Sequence, residues 1–324
     1  MVSLLACTPA THHYESFVFG TRVEITVAEN DAQNAAIASK AVLQEFDRLH
    51  RQYHAWQTSD LTALNAAIAQ GKPHTVSEEL AGLIRKAQDI SDQSNHLFNP
   101  GIGELVALWG FHSDTFKAAL PDAAALAAWR NAAPSISDLK IDAQHTVRSR
   151  NRKVALDFGG YLKGWALDRA GLILKKHGIQ NALVNIGGNI LALGNKHGKP
   201  WRVGLQHPRS PGTLATLYLH DGESIGTSGD YQRFFEYEGQ RYSHLLDPRT
   251  GSPVQHTQAM TILIPPGPDA GTLSDALSKP LFIAGPTHWQ EMAQTLGTTY
   301  ILRVGVDGKI ETTPEMQKRL TPPG

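Results

Sequence analysis

The sequence predicts an α+β fold, a mixed sheet with helices packed on it. Three observations carry that expectation. Two stretches of the first half repeat apolar residues at helical spacing. The second half mixes short strands with helices. And the two kinds of segment do not alternate strictly, which disfavours a doubly wound parallel sheet.

From the N-terminus, Phe17 to Val27 alternates apolar and polar residues as a half-buried strand does. Asp31 suits the cap of a helix whose apolar positions include Ala35, Ala38, Val42, Phe46 and Leu49. Thr75-Val76-Ser77-Glu78 resembles a capping box, and Leu80, Leu83, Ile84, Ala87 and Ile90 then share one helical face. Residues 112–137 are Ala-rich with polar breaks and suit a peripheral helix and loop. Val154 to Asp157 reads as a short strand. Tyr161 to His177 reads as a helix, with Gly178 where a C-terminal capping glycine belongs. Ala182 to Ile186 is an apolar strand ending in Gly187-Gly188, and Trp201 to Leu205 and Thr213 to His220 are further strands. Phe235 to Leu246 has the form of a hairpin turning at Glu238-Gly239. Met260 to Ile264 is a strand, Leu273 to Ile283 a helix carrying Pro280, and Thr299 to Val304 and Ile310 to Thr312 flank a turn at Asp307-Gly308.

Composition narrows the class of protein. The 324 residues are 41% hydrophobic and 19% charged, enough to bury a sizeable core. Lys+Arg and Asp+Glu stand at 30 each, a balance that gives no electrostatic footprint for nucleic acid. No apolar run reaches the roughly 18 residues of a membrane-spanning helix. The single cysteine, Cys7, has no partner for an internal disulfide.

Three segments carry chemistry. Asp157-Phe158-Gly159-Gly160-Tyr161-Leu162-Lys163-Gly164 joins a strand to a helix through two glycines. Glycines let a ligand approach the main chain, and a helix N-terminus with a lysine in its first turn suits phosphate. The pattern is neither the phosphate loop Gly-x-x-x-x-Gly-Lys-Ser/Thr nor the dinucleotide fingerprint Gly-x-Gly-x-x-Gly, so a nicotinamide dehydrogenase is disfavoured. Glycine pairs before helices also arise for purely structural reasons. In His244-Leu245-Leu246-Asp247-Pro248-Arg249-Thr250-Gly251 a strand runs into a Pro/Gly turn, and His244 is a candidate general base among fifteen histidines. Asp247 can equally serve only the turn. In Leu273-Ser274-Asp275-Ala276-Leu277-Ser278-Lys279-Pro280, Asp275 and Lys279 share a helical face. They suit either a surface ion pair or a carboxylate ligand for a hard cation.

Taken in order, these segments resemble the ApbE family of FAD:protein FMN transferases. The resemblance runs from about Phe17 to the end. It also rests on Phe19-Gly20-Thr21, Ser59-Asp60-Leu61, Leu97-Phe98-Asn99-Pro100-Gly101, Asn185-Ile186-Gly187-Gly188 and Thr227-Ser228-Gly229-Asp230-Tyr231. It implies FAD bound in a cleft between two lobes, a divalent cation, usually magnesium, and transfer of FMN to a threonine hydroxyl of a target flavoprotein with release of AMP. Position by position, Phe19, Trp56, Leu97, Phe98, Asn99, Asp157, Lys163 and the main chain of Leu246 would contact FAD. The main-chain oxygen of Gly160, with Asp275 and Ser278, would hold the metal, and His244 would be the base. Three positions depart from the family: Lys279 where a threonine is usual, Asn189 where an acid is frequent and Asn99 where Asp is common. Lys279 leaves open a weakened metal site, the reading favoured on sequence, or a lysine that takes over part of the metal's charge. Two further readings stand beside transfer: a non-catalytic FAD-binding lipoprotein, and a metal-dependent FAD pyrophosphatase giving FMN and AMP. Leu4-Leu5-Ala6-Cys7 resembles a bacterial lipobox, so residues 1–16 are expected to be a truncated signal and tether and residues 17–324 the folded unit. That places the protein, lipid-anchored through Cys7, on the periplasmic face of the inner membrane.

Overall fold

The computed structural model describes residues 10–113, 115 and 118–322. Cys7 and its surrounding lipobox-like segment lie outside them. Eight strands stand side by side in chain order: His12–Val18, Thr21–Val27, Ala182–Ile186, Asn189–Leu193, Ser224–Gly229, Thr257–Ile264, Tyr300–Gly305 and Ile310–Thr312. Each runs antiparallel to the next.

The central strands are covered on both faces. Along Asn189–Leu193, Leu191 and Leu193 point into one apolar cluster and Ile190 and Ala192 into another. Thr257–Ile264 divides likewise, Met260 and Ile262 against Ala259 and Leu263. This is the period-two alternation of a pleated strand with both faces used. The first cluster receives the helices Ala32–Gln52, Glu78–Gln93, Leu162–Lys176 and Ala270–Thr295. The second is closed by a three-stranded sheet, Trp201–Gln206, Thr213–Leu219 and Leu320–Thr321, through Trp201, Val203, Leu217 and Leu219. A third, smaller cluster joins Leu105, Trp109, Phe111 and Trp129 to Phe235 and Leu246.

Several expected boundaries move. Phe17 to Val27 is not one strand but the end of one and the whole of the next. The chain reverses at Phe19-Gly20, whose φ values of 56° and 68° make a tight hairpin turn. The turn at Glu238-Gly239 falls where expected, between Phe234–Tyr237 and Gln240–Ser243. Ser77, not Thr75, caps its helix by accepting from the Leu80 amide. Val154 to Asp157 forms only an isolated bridge, Ala155 to Ile102. The helix read at Leu273 begins at Ala270 and runs to Gly285, whose φ of 76° kinks it before Pro286 starts a second segment. That helix is buried nearly all round.

Candidate functional site

Close packing places the chemistry. Gly164 and Gly271 let the Leu162 and Ala270 helices touch: a side chain on Gly164 would strike the main-chain oxygen of Gly271 and lie 2.7 Å from Asp275 Cβ. On the other side of the Ala270 helix, a side chain on Gly226 would strike the Ser274 main-chain oxygen. Ser224 and Ser228 of that strand pair with Ser274 and Ser278 of the helix at 2.9 and 2.7 Å. The helix is thus clamped between sheet and neighbouring helix, and Asp275 is fully buried.

Asp275 is nevertheless well partnered. Its Oδ2 accepts from the Gly164 amide at 2.9 Å. Its Oδ1 is paired with Lys279 Nζ, which also donates to the Asp275 main-chain oxygen at 2.7 Å. Lys279 therefore turns into the site, and its Cε passes 3.6 Å from where a side chain on Gly160 would begin. Burial draws the Lys279 pKa below its ordinary value and Asp275 opposes that shift. Ser278 Oγ donates to the Asp275 main-chain oxygen at 2.7 Å and contacts Ser228. The expected cation ligands Asp275 and Ser278 thus already have protein partners. Among the described residues no group of three or more His, Cys, Asp or Glu side chains is arranged to hold a metal.

The Asp157 corner lies beside this ion pair. Asp157 Oδ1 accepts from the Gly159 amide at 2.8 Å, closing the turn, and Oδ2 accepts from Trp56 Nε1 at 3.2 Å. Trp56 is one end of an aromatic run. His54 stands 5.6 Å from Trp56, His50 5.0 Å from His54, and Phe19, at its hairpin turn, 5.6 Å from His50. Lys163 makes no ion pair among the described residues, and its charge acts on both Lys279 and His244.

His244 is set by the hairpin Phe234–Ser243, whose base brings it opposite Arg233. The His244 amide donates to the Arg233 oxygen at 3.0 Å, and ring Nδ1 lies 3.1 Å from the same oxygen. A carbonyl only accepts, so Nδ1 carries the hydrogen and Nε2 keeps its lone pair. Burial, then the charges of Arg233, Lys163 and Lys279, push the ring's pKa down to about 3. The imidazole is neutral at physiological pH, as a base awaiting a proton must be.

Contacts thus run from Asp157 to Trp56, Arg233 and His244, and from Gly160 to Lys279 and Asp275, while Lys163 acts on His244 and Lys279 through its charge. The remaining expected contacts differ in character. Phe98 is buried, edge-on to Tyr161 at 6.0 Å beneath the corner. Leu97 lines a cavity of about 240 Å³ with Arg249, His288 and Met292. Both polar atoms of the Asn99 amide bond to the main chain, Oδ1 accepting from Gly101 and Ile136 and Nδ2 donating to the Pro134 oxygen at 2.9 Å. Asn189, also buried, accepts from the Thr227 amide at 3.3 Å. Leu246 is buried in the third cluster and paired with Pro253. Arg233 escaped sequence reasoning. Its guanidinium lies 5.1 Å from the Trp56 ring centroid and donates to the Phe111 oxygen at 2.8 Å. No motif flags it, because only the hairpin makes it a neighbour of His244.

Known proteins share this arrangement of elements. The chain is 39% identical over 96% of its length to an FAD:protein FMN transferase of Rhodobacter capsulatus, spanning 59% of that protein. It is 36% identical over 70% of its length to one of Treponema pallidum, spanning 65% of it. The crystal structure of an ApbE protein from Thermotoga maritima superposes with a TM-score of 0.87 at 28% identity, covering 96% of this chain and 99% of that one. The ApbE family model matches residues 19–302, and with that match the chain belongs to the ApbE family.

Proposed function

We propose that the chain transfers FMN from FAD to a threonine hydroxyl of a target flavoprotein and releases AMP. One observation carries the reading: a neutral imidazole with a committed Nδ1 hydrogen stands with two lysines at a glycine corner. The activity for which the Rhodobacter and Treponema relatives are named supports the same chemistry.

Each residue then has a task. The Trp56 ring offers a stacking face for the flavin or adenine, with its nitrogen held by Asp157. Lys163 and the Gly159-Gly160 corner meet the pyrophosphate. His244 Nε2 takes the hydroxyl proton as the acceptor oxygen attacks the flavin-side phosphorus. The bridging P–O bond breaks and AMP departs with that oxygen. Magnesium, expected from the family, would supply positive charge to the phosphate oxygens. Of the groups that would hold it, the Asp275 carboxylate and the Ser278 hydroxyl are already engaged by the Gly164 amide, Lys279 and Ser228.

The reading extends to the unit's setting. We infer lipid attachment at Cys7 outside the inner membrane, supported by Leu4-Leu5-Ala6-Cys7 alone. Fractionation of cells expressing the full reading frame tests it, and unmodified cytoplasmic protein would refute it.

The enzymatic test is incubation with FAD and a flavoprotein acceptor. The expected result is AMP in solution together with a mass gain of one FMN on the acceptor. AMP without an adduct marks a pyrophosphatase. Bound FAD with neither product marks a flavin-binding protein.

A further inference from the structure

We propose that Lys279 is the resident cation of this site and that flavin transfer by this chain proceeds without a divalent metal. The inference rests on the proposed transferase reading and concerns what supplies positive charge within it.

Its first support is the state of Asp275. A fully buried carboxylate needs compensation, and this one has it: an amide on one oxygen and an ammonium on the other. A divalent ion approaching Oδ1 would have to break the ion pair and leave a buried ammonium beside a second cation. The second support is Ser278, whose hydroxyl is engaged by Ser228 and the Asp275 main chain. Thirdly, the side chain of Lys279 is only 15% exposed and runs past Gly160, where the missing Cβ leaves it room. The lysine is fitted into the corner, not swept across a surface.

An ammonium has three N–H donors. Two are used on Asp275, at the carboxylate and the main-chain oxygen. The third is available to a non-bridging phosphate oxygen. Lys163, in the first turn of the neighbouring helix, adds a second positive charge that acts on Lys279. In the step itself, the acceptor oxygen forms its bond to the flavin-side phosphorus, its proton passes to His244 Nε2, and the bridging electron pair leaves with AMP. Lys279 and Lys163 keep their protons and donate hydrogen bonds as charge builds on the phosphate oxygens.

The test pairs turnover with direct ion binding. AMP release from FAD is measured with an acceptor flavoprotein in excess EDTA and in millimolar magnesium, for the wild type, Lys279→Thr and Lys279→Met. Binding of Mn²⁺ to each protein, with FAD present, is read by electron paramagnetic resonance. The wild type is expected to turn over equally in EDTA and magnesium and to leave Mn²⁺ free. Both variants should lose about 10²-fold in EDTA. Lys279→Thr should regain turnover with magnesium and bind one equivalent of Mn²⁺. The proposal is overturned if EDTA silences the wild type and magnesium restores it, if the wild type binds Mn²⁺ as Lys279→Thr does, or if Lys279→Met keeps wild-type turnover in EDTA. Should no protein release AMP under any condition, the transferase reading fails. The Mn²⁺ comparison then still decides whether Lys279 excludes the ion.

Discussion

His244 derives its chemistry from one atom of one neighbour, the Arg233 main-chain oxygen, which accepts from both its amide and its ring. Replacing it with alanine should lower FMN transfer by about 10²–10⁴-fold and leave FAD affinity, read by flavin fluorescence, nearly unchanged. Its pH behaviour follows from the fold. The folded pKa of about 3 lies below the ordinary 6.5, so the neutral ring is favoured on folding. That contribution to stability is whole above pH 6.5 and is lost as pH falls through about 3. AMP release should therefore show no inflection near 6.5, and His244→Ala should soften acid unfolding between those limits. An acid limb at 6.5 in the rate profile would mean that the ring is charged in the free protein. Asn99 makes the opposite case. With three main-chain bonds and no free polar atom, it is a brace between Pro134, Ile136 and Gly101. Asn99→Ala should cost about 1–3 kcal/mol in chemical denaturation and change the KM for FAD little.

Between elements, the decisive contacts are made by residues with almost no side chain. Gly164→Ala would drive a methyl group into the Gly271 oxygen and Asp275. Overpacking of this kind typically costs about 1–3 kcal/mol. Here it should also lower turnover, since Lys163, Asp275 and Lys279 all ride on the two displaced helices. Thermal melting and AMP release measured together check both effects. A variant with wild-type melting and wild-type turnover would show that the helices have slack.

The same contacts explain what the sequence concealed. The Ala32 and Glu78 helices were legible because their apolar residues recur on one face. The strand Ser224–Gly229 was not, because Ser-Ile-Gly-Thr-Ser-Gly is chosen to admit a helix and carries little β-propensity. Asn189–Leu193 is buried throughout and shows no alternation of polarity. The first hairpin hid because Phe19 occupies a left-handed turn position where Asn or Gly is the usual signal. At the site, the Asp157, His244 and Asp275 segments announced themselves. Their mutual placement did not, nor did Arg233, since these depend on helix–helix and hairpin geometry that local pattern does not encode.

At the scale of the whole molecule, the candidate site is assembled from distant stretches of chain: Trp56, Asp157, Lys163, Arg233, His244 and Asp275. A ligand touching all of them binds only the folded form. FAD at about 100 times its Kd should stabilise the protein by about 2.7 kcal/mol. Riboflavin, which lacks the pyrophosphate, should raise the melting temperature less at equal concentration. Equal shifts in a thermal-melt comparison would locate the affinity in the ring system and away from the glycine corner.

The strand order carries a consequence for the protein's birth. The eight strands follow chain order, yet Val27 pairs with Ala182, and everything between belongs to helices and small ladders. A nascent chain emerging at about 5–20 residues per second therefore holds its first hairpin unpartnered on one edge for on the order of ten seconds. During that interval Val23, Ile25 and Val27, later wholly buried, face the solvent. The N-terminal hairpin is thus a waiting template, its inner edge open until Ala182–Ile186 arrives to zip against it.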